Sequence, residues 1–280
     1  MVLVSTVLER LGYSPDDRVV IVSCDDVGLN HSTNEAVFAS LRDSAATSAA
    51  VMVPCPWARD AALRAEPGDD LGVHLTLNAE WDRYRWGPIT HAPSLVDGDG
   101  GFPRTVSDVW DHADLDEVRR ELRAQIERAA LWGIDVSHLT SHMGSVQVRP
   151  EFFDVYLDLA IEYNVPLRLS GASSERALGF AFRERTAAAG VVFPDRLIVV
   201  PGVGSRETLT STLPQLRPGV TELYLHPARQ AADLEAFALD WRARVDDDAM
   251  LASGDLAALL TTHGIGTTSY ATLRELQRAG

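Results

Sequence analysis

The sequence contains no lysine, so arginine supplies all 25 of its basic residues, against 40 aspartates and glutamates. The formal net charge of −15 argues against the broad basic face that binds nucleic acid or an anionic membrane. This charge suits an enzyme that acts on a neutral or cationic small molecule, and acidity that only maintains solubility explains it equally well. We therefore expect neither nucleic acid nor membranes as partners.

Cysteine is also scarce. Cys24 and Cys55 are the only two, which argues against a disulfide framework and is typical of a protein from a reducing compartment. No apolar run approaches the roughly 20 residues of a membrane span, and the N-terminus lacks the basic start and apolar core of a signal peptide. We expect residues 1–17 to form a short helical extension and the protein to be cytoplasmic.

Short apolar runs alternate with segments of helical periodicity, a pattern typical of βαβ units in a parallel sheet. The predicted strands cover residues 18–23, 48–53, 71–75, 137–141, 167–169, 197–200 and 222–225. The predicted helices cover residues 32–42, 57–65, 116–132, 150–163, 177–189, 206–213, 233–245, 256–262 and 271–278. Without an internal repeat or a dividing linker, these units predict one domain, 1–280, folded as a distorted (β/α) barrel of the TIM type with about seven strands.

One connection is much longer than the others. About 40 residues rich in Gly, Pro, Trp and Asp separate His74, in the third predicted strand, from the helix that begins near Asp116. Loops of this length in compact domains are usually functional or disordered. The aromatic residues Trp81, Tyr84 and Trp86 could bind substrate by stacking on sugar rings, or they could pack the loop against itself.

The residues that point to chemistry follow the predicted strands. They are an acidic pair and three histidines at separate strand ends: Asp25, Asp26, His74, His142 and His226. The active site of a (β/α) barrel is built at the C-terminal ends of its strands, so these side chains should converge. Two adjacent carboxylates at such a position are costly unless a metal ion or a proton is held there.

The fourth predicted strand contains two histidines that need separate interpretations. Side chains alternate along a strand, so His138, Thr140 and His142 share a face if the strand extends that far. His142 would then lie at the mouth of the barrel, with His138 two layers deeper. We therefore take His142 as a candidate ligand and expect His138 to be a packed core residue.

Together the strand-end residues predict hydrolysis of an amide. Asp26, His74 and His142 offer one oxygen and two nitrogens, a set that suits Zn²⁺ and also Mn²⁺, Co²⁺ or Ni²⁺. A metal ion in such a site lowers the pKa of bound water and polarises a carbonyl. Asp25 is the candidate general base, and His226 is the candidate acid for the leaving group.

In their order along the chain, these motifs resemble those of the YdjC-like carbohydrate deacetylases, also called the ChbG/HpnK group of polysaccharide deacetylase-like proteins. The matching segments are Asp25-Asp26-Val-Gly, Gly-Val-His74-Leu-Thr-Leu, Ser-His142 and Glu-Leu-Tyr-Leu-His226-Pro. The resemblance implies a distorted TIM-type barrel, a divalent metal ion and removal of acetyl from an N-acetylated sugar. It makes Asp26, His74 and His142 the metal ligands and Asp25 the base. His226 occupies the C-terminal His-Pro motif.

Arg168 resembles a family arginine that lies near the site, which makes it a candidate for substrate binding. It could orient Asp25 through a bidentate pair, or form only a surface ion pair. Two positions depart from the family pattern. Thr140 stands where the family usually has Asp, two residues before His142, and Gly144 stands where a second histidine is common. The missing carboxylate concerns metal affinity more than fold.

The resemblance leaves the metal open, with Zn²⁺ or Mg²⁺ first and Mn²⁺, Co²⁺ or Ni²⁺ as alternatives. The expected partner is a small N-acetylated sugar or oligosaccharide, and the family suggests a homodimer. Three other functions stay open. They are a metal hydrolase for another amide or a phosphate ester, a non-haem iron oxygenase that uses two histidines and one carboxylate, and a non-catalytic sugar-binding or scaffolding relative.

Overall fold

The computed structural model describes residues 6–200 and 202–280. In this part of the chain a curled parallel sheet is covered by helices. The strands are β1 (Arg18–Val27), β2 (Ser48–Val51), β3 (Leu71–Leu75), β4 (Leu139–Ser141), β5 (Arg196–Val199), β6 (Gly219–Leu225) and β7 (Gly266–Thr267). Their order is β4-β3-β2-β1-β6-β5, and β7 pairs with β1. This arrangement confirms the predicted distorted barrel of the TIM type, with seven strands among the described residues.

The helices connect successive strands as the alternating pattern predicts. They are α1 (Val7–Arg10), α2 (His31–Asp43), α3 (Ala58–Arg64), α4 (Val106–His112), α5 (Leu115–Leu131), α6 (Pro150–Tyr163), α7 (Ala172–Leu178), α8 (Phe182–Ala188), α9 (Ser205–Thr212), α10 (Ala232–Phe237), α11 (Trp241–Ala252), α12 (Asp255–Thr262) and α13 (Tyr270–Ala279). Of the predicted N-terminal extension, residues 1–5 lie outside the described residues, and α1 follows them. Among the described residues, no helix has the length and apolarity needed to cross a bilayer.

Two predicted helices are each divided in the structure. The helix predicted at 177–189 is wrong as one element, because Gly179 ends α7 with a left-handed φ of 66° before α8 begins. The helix predicted at 233–245 is divided by Ala238, Leu239 and Asp240, which separate α10 from α11. This second break matters for the site, since Leu239 and Asp240 line the cavity described below.

The strand predicted at 167–169 is also wrong as a strand. It is reduced to an isolated β-bridge between Leu139 and Leu167. Pro166 has no amide hydrogen to add to a ladder, and the N–H of Leu167 bonds to the carbonyl of Val192 rather than to a regular neighbouring strand. The short strand β7, in contrast, has no counterpart in the prediction.

The long connection after β3, here called the β3–α4 loop (residues 76–105), is folded against α5. Glu121 of α5 accepts hydrogen bonds from the main-chain N–H groups of Ile89 and Thr90, at 3.1 and 2.9 Å. Glu117, one turn earlier, accepts another from Ser94 at 2.8 Å. These carboxylates replace the main-chain partners that an irregular segment lacks, and they hold the loop over one side of the barrel mouth.

Candidate active site

A cavity of about 740 Å³ opens at the C-terminal ends of the strands. Its lining includes all five residues that the strand ends predict, namely Asp25, Asp26, His74, His142 and His226. The chain positions of these residues span most of the barrel, so the parallel sheet is what brings them together. Their convergence was the central expectation from the sequence.

A β-bulge explains how two adjacent carboxylates reach the same cavity. Neighbouring residues of a regular strand point to opposite faces. The register between β1 and β2 shifts between Cys24 and Val27, which breaks this alternation. Asp26 has a φ of 64°, in the left-handed region that aspartate adopts more readily than most residues. The backbone is thereby re-aimed so that both Asp25 and Asp26 line the cavity.

Asp26, His74 and His142 form a buried triad. Oδ1 of Asp26 lies 3.5 Å from Nε2 of His74 and 3.5 Å from Nδ1 of His142. One candidate ligand atom from each residue lies within 4.8 Å of the other two. Oδ1 of Asp26 has no hydrogen-bond partner among the described residues, which is costly for a buried carboxylate. One oxygen and two imidazole nitrogens suit a divalent transition metal, so these residues fit a metal ion.

Arg244 holds the other oxygen of Asp26. Its Nη1 donates to Oδ2 of Asp26 at 2.8 Å, and its Nε donates to Asp240 at 2.9 Å. The buried guanidinium also lies 5.4 Å from the ring of Trp81. Burial alone would raise the pKa of Asp26, but Arg244, His142 and His226 together outweigh it and hold that pKa well below its ordinary value. Asp26 is therefore ionised, and its second oxygen, Oδ1, faces the two histidines.

The two histidines of the triad have opposite electrostatic surroundings. Burial lowers the pKa of His74 to about 4, and its Nδ1 lies 2.6 Å from the hydroxyl of Thr140. Burial acts in the same direction on His142, but the carboxylates of Glu80 and Asp26 outweigh it and raise its pKa to about 10. At neutral pH, His74 is therefore neutral, and without a bound metal ion His142 is charged.

Asp25 is held by Arg168 in the bidentate geometry that the sequence suggested. Nη1 and Nη2 of Arg168 donate to the two carboxylate oxygens at 2.5 and 2.9 Å. Arg168 also donates to Glu222 through Nε and Nη2, at 2.9 and 2.6 Å. Burial raises the pKa of Asp25, but Arg168 together with His74 and His226 outweighs it, so the pKa lies below its ordinary value. With its donors engaged and only 3% of its surface exposed, Arg168 orients Asp25 from the cavity floor.

His226 directly follows β6 and lines the cavity on the opposite side of β1 from β3 in the strand order. Its main-chain N–H donates to Oδ2 of Asp247 at 2.9 Å. Its ring lies edge-on to Tyr224, with 5.5 Å between the ring centroids. The backbone is thus fixed, while the imidazole remains at the cavity surface.

Of the three aromatic residues that the sequence singled out in the β3–α4 loop, namely Trp81, Tyr84 and Trp86, only Trp81 lines the cavity. Tyr84 stacks on Phe237 with 4.4 Å between centroids and donates its hydroxyl to the carbonyl of Leu29. Trp86 is 4% exposed and packs edge-on against Trp81 and Tyr84. Tyr84 and Trp86 thus make the packing contacts that the sequence left open as an alternative, and their role in substrate binding stays a prediction.

Sequence reasoning missed several residues around the triad. They are Glu80, Glu222, Arg244 and Asp247, and the contacts that each of them makes with the site come from the fold. Arg244 and Asp26, for example, are 218 residues apart. The one available signal was the position of Glu80 next to Trp81, in a loop already marked as functional.

The chain is similar in sequence to known proteins. The YdjC-like protein family matches residues 19–262. A carbohydrate deacetylase from Thermus thermophilus is 43% identical over 161 residues, an alignment that spans 57% of this chain and 56% of that protein. A carbohydrate deacetylase from Thermoanaerobacter pseudethanolicus is 28% identical over 266 residues, which cover 92% of this chain and all of that protein.

A solved structure shows the same architecture. It is the crystal structure of a candidate cellobiose-phosphate cleavage protein from Enterococcus faecalis V583, with a TM-score of 0.79 and 25% sequence identity. The superposition covers 92% of this chain and 99% of that one. The family match extends from β1 to α12 and includes each residue of the triad. This chain therefore belongs to the YdjC-like protein family.

Proposed function

We propose that this protein is a metal-dependent hydrolase that removes the acetyl group from an N-acetylated sugar or oligosaccharide. The observation that carries the proposal is the unpartnered Oδ1 of Asp26, which lies 3.5 Å from a nitrogen of His74 and 3.5 Å from a nitrogen of His142. The relatives named carbohydrate deacetylases support a sugar acetamide as the substrate.

In this proposal Asp26, His74 and His142 hold the metal ion. A divalent ion bound there would lower the pKa of water and polarise the acetamide carbonyl. The mixed oxygen and nitrogen donors favour Zn²⁺ or a related transition metal over Mg²⁺, which prefers oxygen ligands. Reloading the metal-free protein with different divalent ions identifies the ion.

Asp25 is the general base of the proposal. It must be ionised to take a proton from the attacking water, and its pair with Arg168 keeps its pKa below the ordinary value. The bidentate geometry also fixes the carboxylate plane, because both oxygens are held at 2.5 and 2.9 Å by one rigid guanidinium. Arg168 therefore acts through Asp25 as a positioning residue.

His226 is the general acid of the proposal. Its imidazole lines the same cavity, and a protonated imidazole can donate a proton to a leaving amine. The hydrogen bond from its main chain to Asp247 fixes the backbone at the end of β6. The ring is then free to approach the amide nitrogen.

The cavity volume of about 740 Å³ lies within the range of about 300–1,000 Å³ that is common for small-molecule sites. Trp81 lines this cavity with an apolar ring that packs against Trp86, Phe237 and Arg244. Such a ring can contact the apolar face of a sugar ring. A monosaccharide or a short oligosaccharide would fit.

The test is acetate release from a panel of N-acetylated mono- and oligosaccharides. Metal-free protein would be reloaded with Zn²⁺, Mn²⁺, Co²⁺, Ni²⁺ or Mg²⁺, beside His74→Ala as control. The panel includes phosphorylated N-acetylated disaccharides, because the name of the Enterococcus faecalis structure includes a disaccharide phosphate. We expect metal-dependent release that the control lacks. Stoichiometric metal binding without release from any substrate would contradict the proposed bond.

A further inference from the structure

The two histidines of the triad present different nitrogens to the same carboxylate. His74 directs Nε2 toward Oδ1 of Asp26, while its Nδ1 lies 2.6 Å from Oγ1 of Thr140. His142 directs Nδ1 toward the same oxygen, while its Nε2 lies 3.0 Å from Oε2 of Glu80. Each ring is therefore held at one nitrogen by a neighbour and leaves the other nitrogen toward the centre of the triad.

We propose that Glu80 is the positioning residue that makes Nδ1 the metal-binding nitrogen of His142. A neutral imidazole carries one N–H and one lone pair, and the partner of one nitrogen decides which is which. An ionised carboxylate can only accept, so it requires the N–H at Nε2 and leaves the lone pair at Nδ1. This inference rests on the metal centre of the proposed function and extends it to the β3–α4 loop.

The surroundings of Glu80 suit this role. Its side chain is 21% exposed, so it is partly withdrawn from water. Its Oε2 lies 3.0 Å from Nε2 of His142, a hydrogen-bond distance at which a carboxylate can accept from an imidazole N–H. The adjacent Trp81 is packed between Trp86 and Phe237, which fixes the backbone beside Glu80.

Thr140 does not take this role. It lies two residues before His142 in the chain, but its hydroxyl is bonded to His74 across the β3–β4 pair. The carboxylate that fixes the ring of His142 therefore comes from a different element, 62 residues away. The absence of Asp at position 140 leaves neither histidine without a polar partner.

The first measurement is zinc affinity by competition with a chromophoric chelator. Loss of an outer partner of a metal-binding histidine typically weakens affinity about 10–100-fold, and we expect this loss for Glu80→Ala. Glu80→Gln keeps an amide oxygen that can accept from Nε2–H, so it should lie between Glu80→Ala and the unsubstituted protein. The matched control is Glu35→Gln, since Glu35 lies 3.6 Å from His31 in an exposed pair outside the cavity. Its affinity should be unchanged.

The second measurement identifies the protonated nitrogen directly. In zinc-loaded protein with ¹⁵N-labelled histidine rings, two-bond ¹H–¹⁵N correlations should show His142 protonated at Nε2 and His74 protonated at Nδ1. In Glu80→Ala the Nε2–H signal of His142 should be lost to solvent exchange. This readout does not depend on substrate turnover.

Three outcomes would overturn the inference. They are a proton on Nδ1 of His142 in the zinc-loaded protein, Glu80→Ala with unchanged zinc affinity, and Glu80→Ala with complete loss of binding while Glu80→Gln also binds none. The last result would make Glu80 a direct ligand. If the unsubstituted protein binds no metal ion, the metal centre of the proposed function fails as well. If the unsubstituted protein binds zinc and Glu80→Ala binds it equally well, only the role of Glu80 fails and the metal centre stands. If Glu80→Ala does not fold, Glu80→Gln serves for both measurements.

Discussion

The two ends of the barrel interior both contain a buried carboxylate beside a buried histidine, but they use them differently. At the N-terminal ends of the strands, Oδ2 of Asp70 accepts from the hydroxyl of Ser48 at 2.8 Å. The hydroxyl of Ser137 lies 2.8 Å from Nδ1 of His138, whose ring stacks on Tyr270 with 3.9 Å between centroids. At the C-terminal ends, in contrast, the equivalent groups surround a cavity.

Unpartnered atoms alone do not distinguish the two ends. Oδ1 of Asp70 and Nε2 of His138 also lack hydrogen-bond partners in the described part of the chain, as Oδ1 of Asp26 does. The difference is convergence, because only Asp26, His74 and His142 bring three ligand atoms together among the described residues. A buried orphan atom indicates a metal site only when other donors share its space.

Packing explains why His138 stays in the core. One face of its ring is covered by Tyr270, and its edge occupies the space beside Gly72, where a Cβ atom would lie only 2.5 Å from the ring. Gly72 is therefore required for close approach of the ring to β3. Among the described residues no ring stacks face-on against His142, whose ring meets those of His74 and Trp86 edge-on and lines the cavity.

The largest expected difference between the two ends concerns turnover. Asp25→Asn removes the proposed base, so the rate of acetate release should fall about 10²–10⁴-fold, while zinc binding remains because Asp25 is outside the triad. Asp70→Asn, at the other end, should leave turnover unchanged. The rate and the zinc content of each purified variant check this. Loss of zinc from Asp25→Asn would contradict the division of roles between Asp25 and Asp26.

The second comparison replaces one buried histidine at each end of the barrel with alanine. His74→Ala should abolish zinc binding, because it removes one of three ligands. His138→Ala should bind zinc normally but lower the free energy of unfolding by about 2–4 kcal/mol, the usual cost of removing a large buried side chain. Chelator competition and urea unfolding measure the two effects. If His138→Ala lost zinc without losing stability, the assignment of His138 to the core would be wrong.

A third comparison uses two hydroxyls, each bonded to a histidine Nδ1. Thr140→Val removes the partner of His74 and should weaken zinc affinity about tenfold, at the lower end of the effects of such outer contacts. Ser137→Ala removes the partner of His138 and should leave affinity unchanged, with a loss of about 1 kcal/mol in the free energy of unfolding. Equal zinc affinity in both variants would show that the Thr140 contact does not orient a ligand.

Sequence patterns predicted the features that depend on local periodicity. Apolar runs located β1 to β6 closely enough to put Asp25, His74 and His226 at one end of a barrel. The polar network around them was beyond prediction, because Arg244 and Glu222 reach the site only through tertiary packing. No spacing rule connects side chains that are more than 50 residues apart.

Two further misses have local physical causes. The sequence around Asp26 contains no pattern that predicts a bulge. The expectation that both carboxylates face the cavity therefore rested on their chemistry and not on strand geometry. Thr140 was interpreted as the neighbour of His142 because of its place in the chain. In the sheet it faces the next strand and bonds to His74.

The smallest expected effect is the release of one proton when zinc binds. This proton comes from His142 at the C-terminal end of the barrel, whereas His138 at the other end releases none. The raised pKa of His142, about 10, means that the ring is charged at pH 7.5 before a metal ion binds. His74, with a pKa of about 4, is already neutral. His138, whose burial holds its pKa well below its ordinary value, is neutral too and takes no part. Binding of zinc at Nδ1 of His142 must displace the proton there.

About one proton should therefore be released per zinc ion at pH 7.5, and the apparent affinity should rise about tenfold per pH unit below the pKa of His142. Titration calorimetry in buffers of different ionisation enthalpy counts this proton. In Glu80→Gln the negative partner is gone, so the pKa of His142 falls toward its ordinary value and fewer protons are released. A second released proton would come from a charged His74 or from zinc-bound water, whose pKa the ion lowers. Release of none from the unsubstituted protein would mean that the carboxylates of Glu80 and Asp26 do not keep the ring of His142 protonated, and the electrostatic contrast between the two ends would then disappear.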